Sequence, residues 1–373
     1  MLPVLVFFSA LLVLVTLLPL CRHPHWLVRG MDFPRFQIAI GAAILLLGHL
    51  LVLDTQEVTT WVLVVATVIC LIWQLWWVLP FTFLWPREVK STRDNSKGQQ
   101  LSILTANVLT PNRNADALIA LVRKHKPDVL VTLESDQWWQ DQLNVLQGEM
   151  PYSIKCPLDN LYGMHVYSKW PLEEAQISYL VEKDVPSIHA LLLLATQDKV
   201  RMHFVHPAPP SPTENPESVQ RDAELVIVAK SVAESEQPVI VTGDLNDVAW
   251  SATTRLFRKI SGLLDPRVGR GMFNTFHVGY PFLRWPLDHL FHSEHFTLQS
   301  IARLSSIDSD HFPLLTVLQF TPVHGANQQG LNADAAEHAW SKAITKEQAA
   351  SKNDVPTPGE TTKVQEEWDK SAL

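Results

Sequence analysis

Cysteine is scarce in this chain. Cys21, Cys70 and Cys156 are the three in 373 residues, and no two form a CxxC pair. That spacing excludes a disulfide framework and offers no zinc site. An excess of positive charge is missing too. The formal net charge is −8, and residues 101–321 hold 18 Lys/Arg against 25 Asp/Glu. Counterion-driven binding of nucleic acid needs the opposite balance. There is no internal repeat. The first apolar run, residues 1–20, has neither a basic segment before it nor a small-residue cleavage site, so it does not read as a cleaved leader.

What the chain does have is long apolar sequence at its start. Mean hydropathy is +0.05, and the excess lies in three runs: residues 1–20, 38–53 (which includes His49) and 61–85. Each is near the length that crosses a bilayer, and Trp73, Trp76, Trp77 and Trp85 crowd one end of the third, as at a headgroup interface. Residues 1–86 are therefore expected to form three transmembrane helices. Arg22, Arg29 and Arg35 flank the first loop; Arg87, Lys90, Arg93 and Lys97 follow the third span; residues 54–60 carry no Lys or Arg. The positive-inside rule then puts the first loop and the C-terminal part in the cytoplasm, with Met1 outside.

A polar linker, residues 87–100, leads to a globular domain at 101–321. Strands are expected at 101–106, 128–133, 152–156, 164–168, 175–180, 188–195, 201–205 and 238–242. Helices are expected at 114–126, 137–146, 217–235 and 251–260, with Asn114 as an N-cap and Pro127 as a stop. Mixed strands and helices in this order suit an α/β domain of packed sheets flanked by helices. Residues 322–373 turn polar. An alanine-rich helix fits 333–351, and disorder is expected from 353.

The chemistry centres on Pro-Val-Ile-Val-Thr-Gly-Asp-Leu-Asn-Asp, residues 238–247. A short buried strand stops at Gly243 and delivers Asp244 and Asn246, which share one face if the backbone stays extended. A carboxylate beside an amide suits a hard divalent cation and phosphate oxygens; a plain Asx-type turn is the simpler alternative. Five other strand ends also carry such groups: Asn107, Glu134, His206, Asp288, and the Asp310-His311 pair of Ser-Asp-His-Phe-Pro. Asp247 fits a turn, His289 a structural position facing away from Asp288, and Asp308 a solvated one. Tyr162 and His165 remain open as substrate-side candidates. The aromatic stretch with Phe273, Phe276, Tyr280, Phe282 and Trp285 fits core packing or a loop at a bilayer surface.

The order Asn, Glu, His, Asp-x-Asn, Asp, Asp-His resembles the endonuclease/exonuclease/phosphatase family, whose fold is deoxyribonuclease-I-like. The resemblance spans roughly residues 100–320 and implies a four-layer α/β/β/α sandwich behind the three membrane helices. It implies a hydrolase of phosphate ester bonds using Mg²⁺ or Mn²⁺. Asn107, Glu134 and Asp310 would hold the metal. Asp244 would activate water, Asn246 and His206 would contact the phosphate, and Asp288 with His311 would form a carboxylate–imidazole pair. Leu109 stands where some DNA-repair relatives carry an aspartate, and Asp247-Val248 stand where inositol-phosphate phosphatases often carry an arginine. The run after Asp247, through Phe257 to Gly269-Arg270-Gly271, resembles membrane-anchored bacterial members, which implies an inner-membrane protein. The substrate stays open between nucleic acid, as for a phosphodiesterase or endonuclease, and a phospholipid or inositol phosphate. A catalytically dead scaffold is the alternative outside enzymes. No protein partner is indicated.

Overall fold

The computed structural model describes residues 1–92, 98–321 and 328–360. Four helices come first: α1 (Leu2–Leu17), α2 (Trp26–Gly30), α3 (Arg35–Val52) and α4 (Val58–Val78). With the tight turns that extend α1 and α4, three helices are long and apolar enough to cross a membrane: Leu2–Cys21, Arg35–Val52 and Val58–Phe81. Their limits differ by a few residues from the apolar runs, because Pro34 and Pro80 punctuate the backbone where hydropathy alone does not. Phe7, Leu14, Ile44, Leu51, Ile69 and Ile72 point outward and are exposed. Leu12, Ala42 and Cys70 meet inside. Several polar groups between the helices are paired: Ser9 Oγ lies 3.0 Å from His49 Nε2, and Gln74 accepts from Arg35 and donates to Thr16. Such pairing is needed where lipid offers no partner.

The rest of the chain runs β1 (Gln100–Asn107), α5 (Ala115–His125), β2 (Val129–Leu133), α6 (Gln137–Leu143), β3 (Tyr152–Cys156), β4 (Met164–Ser168), β5 (Leu172–Ser178), β6 (Ser187–Leu193), β7 (Lys199–Phe204), α7 (Val219–Ala233), β8 (Val239–Asp244), α8 (Ala252–Ser261), β9 (Asp288–His292), β10 (Phe296–Arg303), β11 (Leu314–Phe320) and α9 (Ala335–Glu347). Two mixed sheets result, one in the order β10-β11-β1-β2-β4-β3 and the other β5-β6-β7-β8-β9. Alternation along β1 shows how they pack. Leu101 and Ile103 point between the sheets, against Phe204 and Ile240. Leu104 and Ala106 point the other way, onto Leu118 and Val122 of α5 and Trp139 of α6. On the far side, Leu225 and Val228 of α7 and Phe257 of α8 cover Val241. The four layers are α/β/β/α, as expected.

One feature departs from expectation. Helix α9 forms within the expected 333–351, but residues 353–360, expected to be disordered, are held against the domain as well. Ile344 of α9 packs with Ala223, Val226 and Leu256, Lys259 Nζ donates to Glu337 at 2.6 Å, and Arg201 Nη1 donates to Glu360 Oε1 at 2.8 Å. An apolar contact and a partner for a buried guanidinium fix a segment that its composition leaves undecided. Residues 322–327 and 361–373 lie outside the described residues, as do Arg93 and Lys97.

The apolar helices pack directly against the globular part. The loop between the first two spans lies along the globular part: Trp26 N donates to Pro216 O (2.9 Å), Ser218 N to Pro24 O (2.8 Å) and Trp250 Nε1 to Asp32 O (2.8 Å). Val78 and Phe81, where the third span ends, pack with Val248, Trp250 and Leu287. The first inter-span loop and the globular domain therefore share one side of the bundle, and residues 54–57 lie at its other end.

Candidate active site

Parallel pairing of β1 with β2 and of β7 with β8 brings four chain exits to one end of the sandwich. Antiparallel β9 and β11 begin there. The sheets are joined just beneath it by the buried hydroxyls of Thr105 and Thr242, 3.0 Å apart. Two residues further along β1 stands Asn107, now facing the opposite sheet. The eight residues singled out in the sequence thus converge between the two sheets.

In the β8–β9 ladder Asp244 lies directly opposite Asp288. Above them sits His311, with Nδ1 2.8 Å from Asp288 Oδ2 and Nε2 3.4 Å from Asp244 Oδ2. Burial disfavours a charged ring here, but Asp288 and Asp244 outweigh it and push the His311 pKa up to about 10. The ring is an imidazolium at neutral pH. Burial also raises Asp244 above the usual carboxylate range; His311 opposes this and Asp288 adds to it.

Asn246 does not reach the site by strand alternation. Its φ is +51°, and its backbone N–H donates to Asp244 Oδ1 at 2.8 Å, so an Asx turn, not an extended face, places it beside Asp244. Its side-chain Nδ2 donates to Pro207 O at 3.0 Å, leaving one amide hydrogen free in direction. Gly243 is required for a different reason than a sharp turn: at φ +150° a Cβ would stand 1.9 Å from Val205 O. His206 is buried against the Tyr162 ring, centroids 5.4 Å apart, with Nδ1 unpartnered. Burial drops its pKa to about 4 despite Asp244, so this ring is neutral at pH 7 and offers a hydrogen bond, not a charge.

The other half of the site is carboxylate-rich. Asn107 Nδ2 donates to Glu134 Oε1 at 2.7 Å and lies 3.3 Å from Asp244 Oδ2, while its oxygen accepts from Leu109 N. Among the described residues, Glu134 Oε2 is buried without a partner. Burial raises the Glu134 pKa to about 8; the Asn107 hydrogen bond and His311 oppose this, and Asp310 and Asp244 add to it. An orphaned carboxylate oxygen near two further carboxylates fits a hard cation held by oxygen. A second cluster, Asp244, Asp288 and His311, places its ligand atoms within 4.8 Å of one another. There both ring nitrogens face carboxylates, so a proton already fills the role a metal would take.

Sequence reasoning underrated two residues. Asp247 is no ordinary turn residue: it is buried, accepts from Val248 N and Ser251 Oγ, and faces Arg221 at 3.5 Å. Arg221 in turn donates to Asn246 O at 2.8 Å and to Asp222. An arginine in the polar first turn of a helix, Gln220-Arg221-Asp222, gave no signal of this. His289 is structural as expected, held by Arg267 and the Asp247 carbonyl. Asp308 accepts from Asn114 at 2.6 Å on the exposed side. His165 is buried, bonded to its neighbour's carbonyl, and burial lowers its pKa to about 4.

The family model described as Endonuclease/Exonuclease/phosphatase family matches residues 104–311. The chain belongs to this family. Its members are hydrolases of phosphodiester bonds and generally use a divalent metal. The solved structures it resembles include the human Nocturnin catalytic domain with bound sulfate (16% identity, 60% of this chain and 94% of that one, TM-score 0.50). An endonuclease/exonuclease/phosphatase from Beutenbergia cavernae (16% identity, 60% and 72%, TM-score 0.49) is also similar. So is D. rerio TDP2 complexed with a single-strand DNA product (16% identity, 59% and 99%, TM-score 0.48). At such identities the likeness is one of fold. No curated protein matches the chain.

Proposed function

We propose that this family member is a membrane-anchored, divalent-metal-dependent phosphoesterase that cleaves phosphodiesters with an activated water. One observation carries the reading: a cationic His311 locked between Asp288 and Asp244 faces Glu134, whose buried Oε2 lacks a partner. A dead scaffold has no use for a buried imidazolium and an orphaned carboxylate in one cleft, because both cost folding free energy.

Glu134 and Asp310, with Asn107 beside them, would hold Mg²⁺ or Mn²⁺. When bound, the ion supplies Lewis-acid stabilisation of phosphate and leaving-group oxygens. Asp244, with its raised pKa, takes the proton of the attacking water. As the bond from phosphorus to the water oxygen forms, the bond to the leaving oxygen breaks. His311 meets the growing equatorial charge with its own cation, and Asn246 Nδ2 and the neutral His206 donate to phosphate oxygens. Residues 1–86 serve as the anchor, 87–100 as the linker and 101–321 as the catalytic domain, with 328–360 strapped onto it. The positive-inside count supports a cytoplasmic catalytic domain, and the resemblance to membrane-anchored bacterial members supports a bacterial inner membrane.

The test is hydrolysis of bis(4-nitrophenyl) phosphate by the full chain in detergent. Activity should require Mg²⁺ or Mn²⁺ and vanish in Glu134→Gln, with unfolding still cooperative. Hydrolysis that survives both EDTA and this substitution would reject the reading.

A further inference from the structure

We infer that the loop from Tyr280 to Leu283 sits in the bilayer interface, and that the cleft it borders takes phosphate esters presented by lipid headgroups. This rests on the phosphoesterase reading above and names the substrate class for the same site.

Among the described residues of the globular domain, this loop holds the two most exposed large apolar side chains, Phe282 at 88% and Tyr280 at 59%, with Leu283 at 47%. Isolated exposed apolar residues are common and mean little. These three fall within four residues, and their location decides the matter. Phe282 O accepts from Gln37 Nε2 at 2.8 Å, and Gln37 is the third residue of the membrane-spanning helix α3. A cavity of ≈ 260 Å³ lies between Phe282 and the outward side chains Phe36 and Ile40 of that helix. At about 1.5 Å per residue, Ile40 stands roughly 7 Å inside the start of the helix. Phe282 therefore shares the depth at which α3 enters lipid, where aromatic side chains collect.

The same loop reaches the reaction centre. Phe33, just before α3, contacts Trp285 edge-on at 5.6 Å; Trp285 stacks on Phe276 at 6.4 Å; and Phe276 lies 4.9 Å from the His311 ring. Val278 N donates to Asp310 O at 2.8 Å. The opposite rim, which follows His206, is tied to the same membrane-flanking loop through Pro216–Trp26 and Ser218–Pro24. Both rims are thus fixed at the bilayer surface. Near His206 the rim presents Glu214, bonded to Tyr162, and Glu182. Acidic groups there oppose a polyanionic strand more than a single headgroup phosphate. The aromatic stretch accordingly divides: Phe276 and Trp285 pack inward, while Tyr280, Phe282 and Leu283 face lipid.

The experiment reconstitutes the full chain into vesicles of phosphatidylcholine, phosphatidylglycerol and phosphatidylinositol. A nitroxide on Cys21→Ser, Phe282→Cys should be reached by oxygen and shielded from a water-soluble nickel relaxer. Release of phosphorylated headgroup, or of phosphate from it, should fall about tenfold or more in Phe282→Ser, Leu283→Ser. Hydrolysis of soluble bis(4-nitrophenyl) phosphate should be unchanged. A label open to the aqueous relaxer overturns the inference, as does equal loss on the soluble diester. Soluble-diester activity without any lipid product, or preferential cleavage of single-stranded DNA, also overturns it. Loss of all hydrolysis in the unmodified chain would instead reject the phosphoesterase reading.

Discussion

The guanidinium of Arg221 donates to the backbone carbonyl of Asn246 at 2.8 Å and also binds Asp222. Asp222 is held on its other oxygen by Arg29, from the loop between the first two candidate membrane spans. A residue of that loop is thus two side chains away from the turn that carries Asp244 and Asn246.

Breaking that chain should show in both stability and rate. Arg29→Ala leaves the buried Asp222 with a single cationic partner, and Arg221→Met leaves Asp222 and Asp247 short of one. Removing one member of a buried ion pair costs about 3–5 kcal/mol. Thermal unfolding should shift accordingly, and kcat should fall more in the Arg221 variant, because Asn246 loses its support directly. A fragment cut at residue 100 and ending at 323 should be less stable than the full chain, since it lacks both Arg29 and α9. Equal melting temperatures for fragment and full chain would contradict this coupling.

His311 and Asp288 should behave as one unit. Losing the imidazole in His311→Ala removes stabilisation of transition-state charge on the order of 3 kcal/mol, about a hundredfold in rate. Asp288→Asn still bonds the ring but no longer favours its cation, so it should also slow the reaction. The double variant should be little worse than His311→Ala. The readout is a double-mutant cycle on kcat/KM with a soluble diester. Additive losses would separate the two residues.

The pH dependence follows from two shifted rings. The His311 pKa is raised to about 10: burial opposes the cation, and Asp288 and Asp244 overcome it. Its contribution to stability is complete below its unfolded value near 6.5 and is lost as pH rises through about 10. His206 runs the other way, lowered to about 4 by burial. Its contribution is complete above 6.5 and is lost as pH falls toward 4. The melting temperature should therefore decline on both sides of neutrality. kcat/KM should have a basic limb near pH 10 that is absent in His311→Ala.

Topology can be read with reporter fusions. A periplasm-dependent phosphatase reporter should be silent when fused after Leu373 and active when inserted among residues 54–57, which lie at the other end of the bundle. The opposite pattern would put the active site outside the cytoplasm and reverse the positive-inside reading.

Much of this protein is local and therefore legible in its sequence. Apolar runs of bilayer length mark the three spans, because lipid leaves little choice to a helix that must satisfy its own backbone. Strands ending in Asn107, Glu134, His206 and Asp244 carry their polar groups at the point where apolar alternation stops, and the order of those groups matches the family. The sequence even shows that His289 and Asp288 must point opposite ways.

What the sequence left undecided depends on which surfaces meet. Asn246 reaches its place through a left-handed Asx turn, and Asp247 and Arg221 gain significance only because α7 packs against that turn. The segment at 328–360 is polar by composition, yet Ile344 and Glu360 find a groove and a buried arginine far away in the chain. Phe276 and Phe282 are equally aromatic in the sequence. Only the packing of their loop between His311 and α3 turns one inward and leaves the other exposed beside α3. The side-chain types and their order were written in the chain; the pKa of His311, the orphaned oxygen of Glu134 and the union of anchor with active site arise from burial and proximity. Those are properties of the assembled tertiary structure, since a carboxylate shifts a neighbouring ring only when folding brings them together away from water.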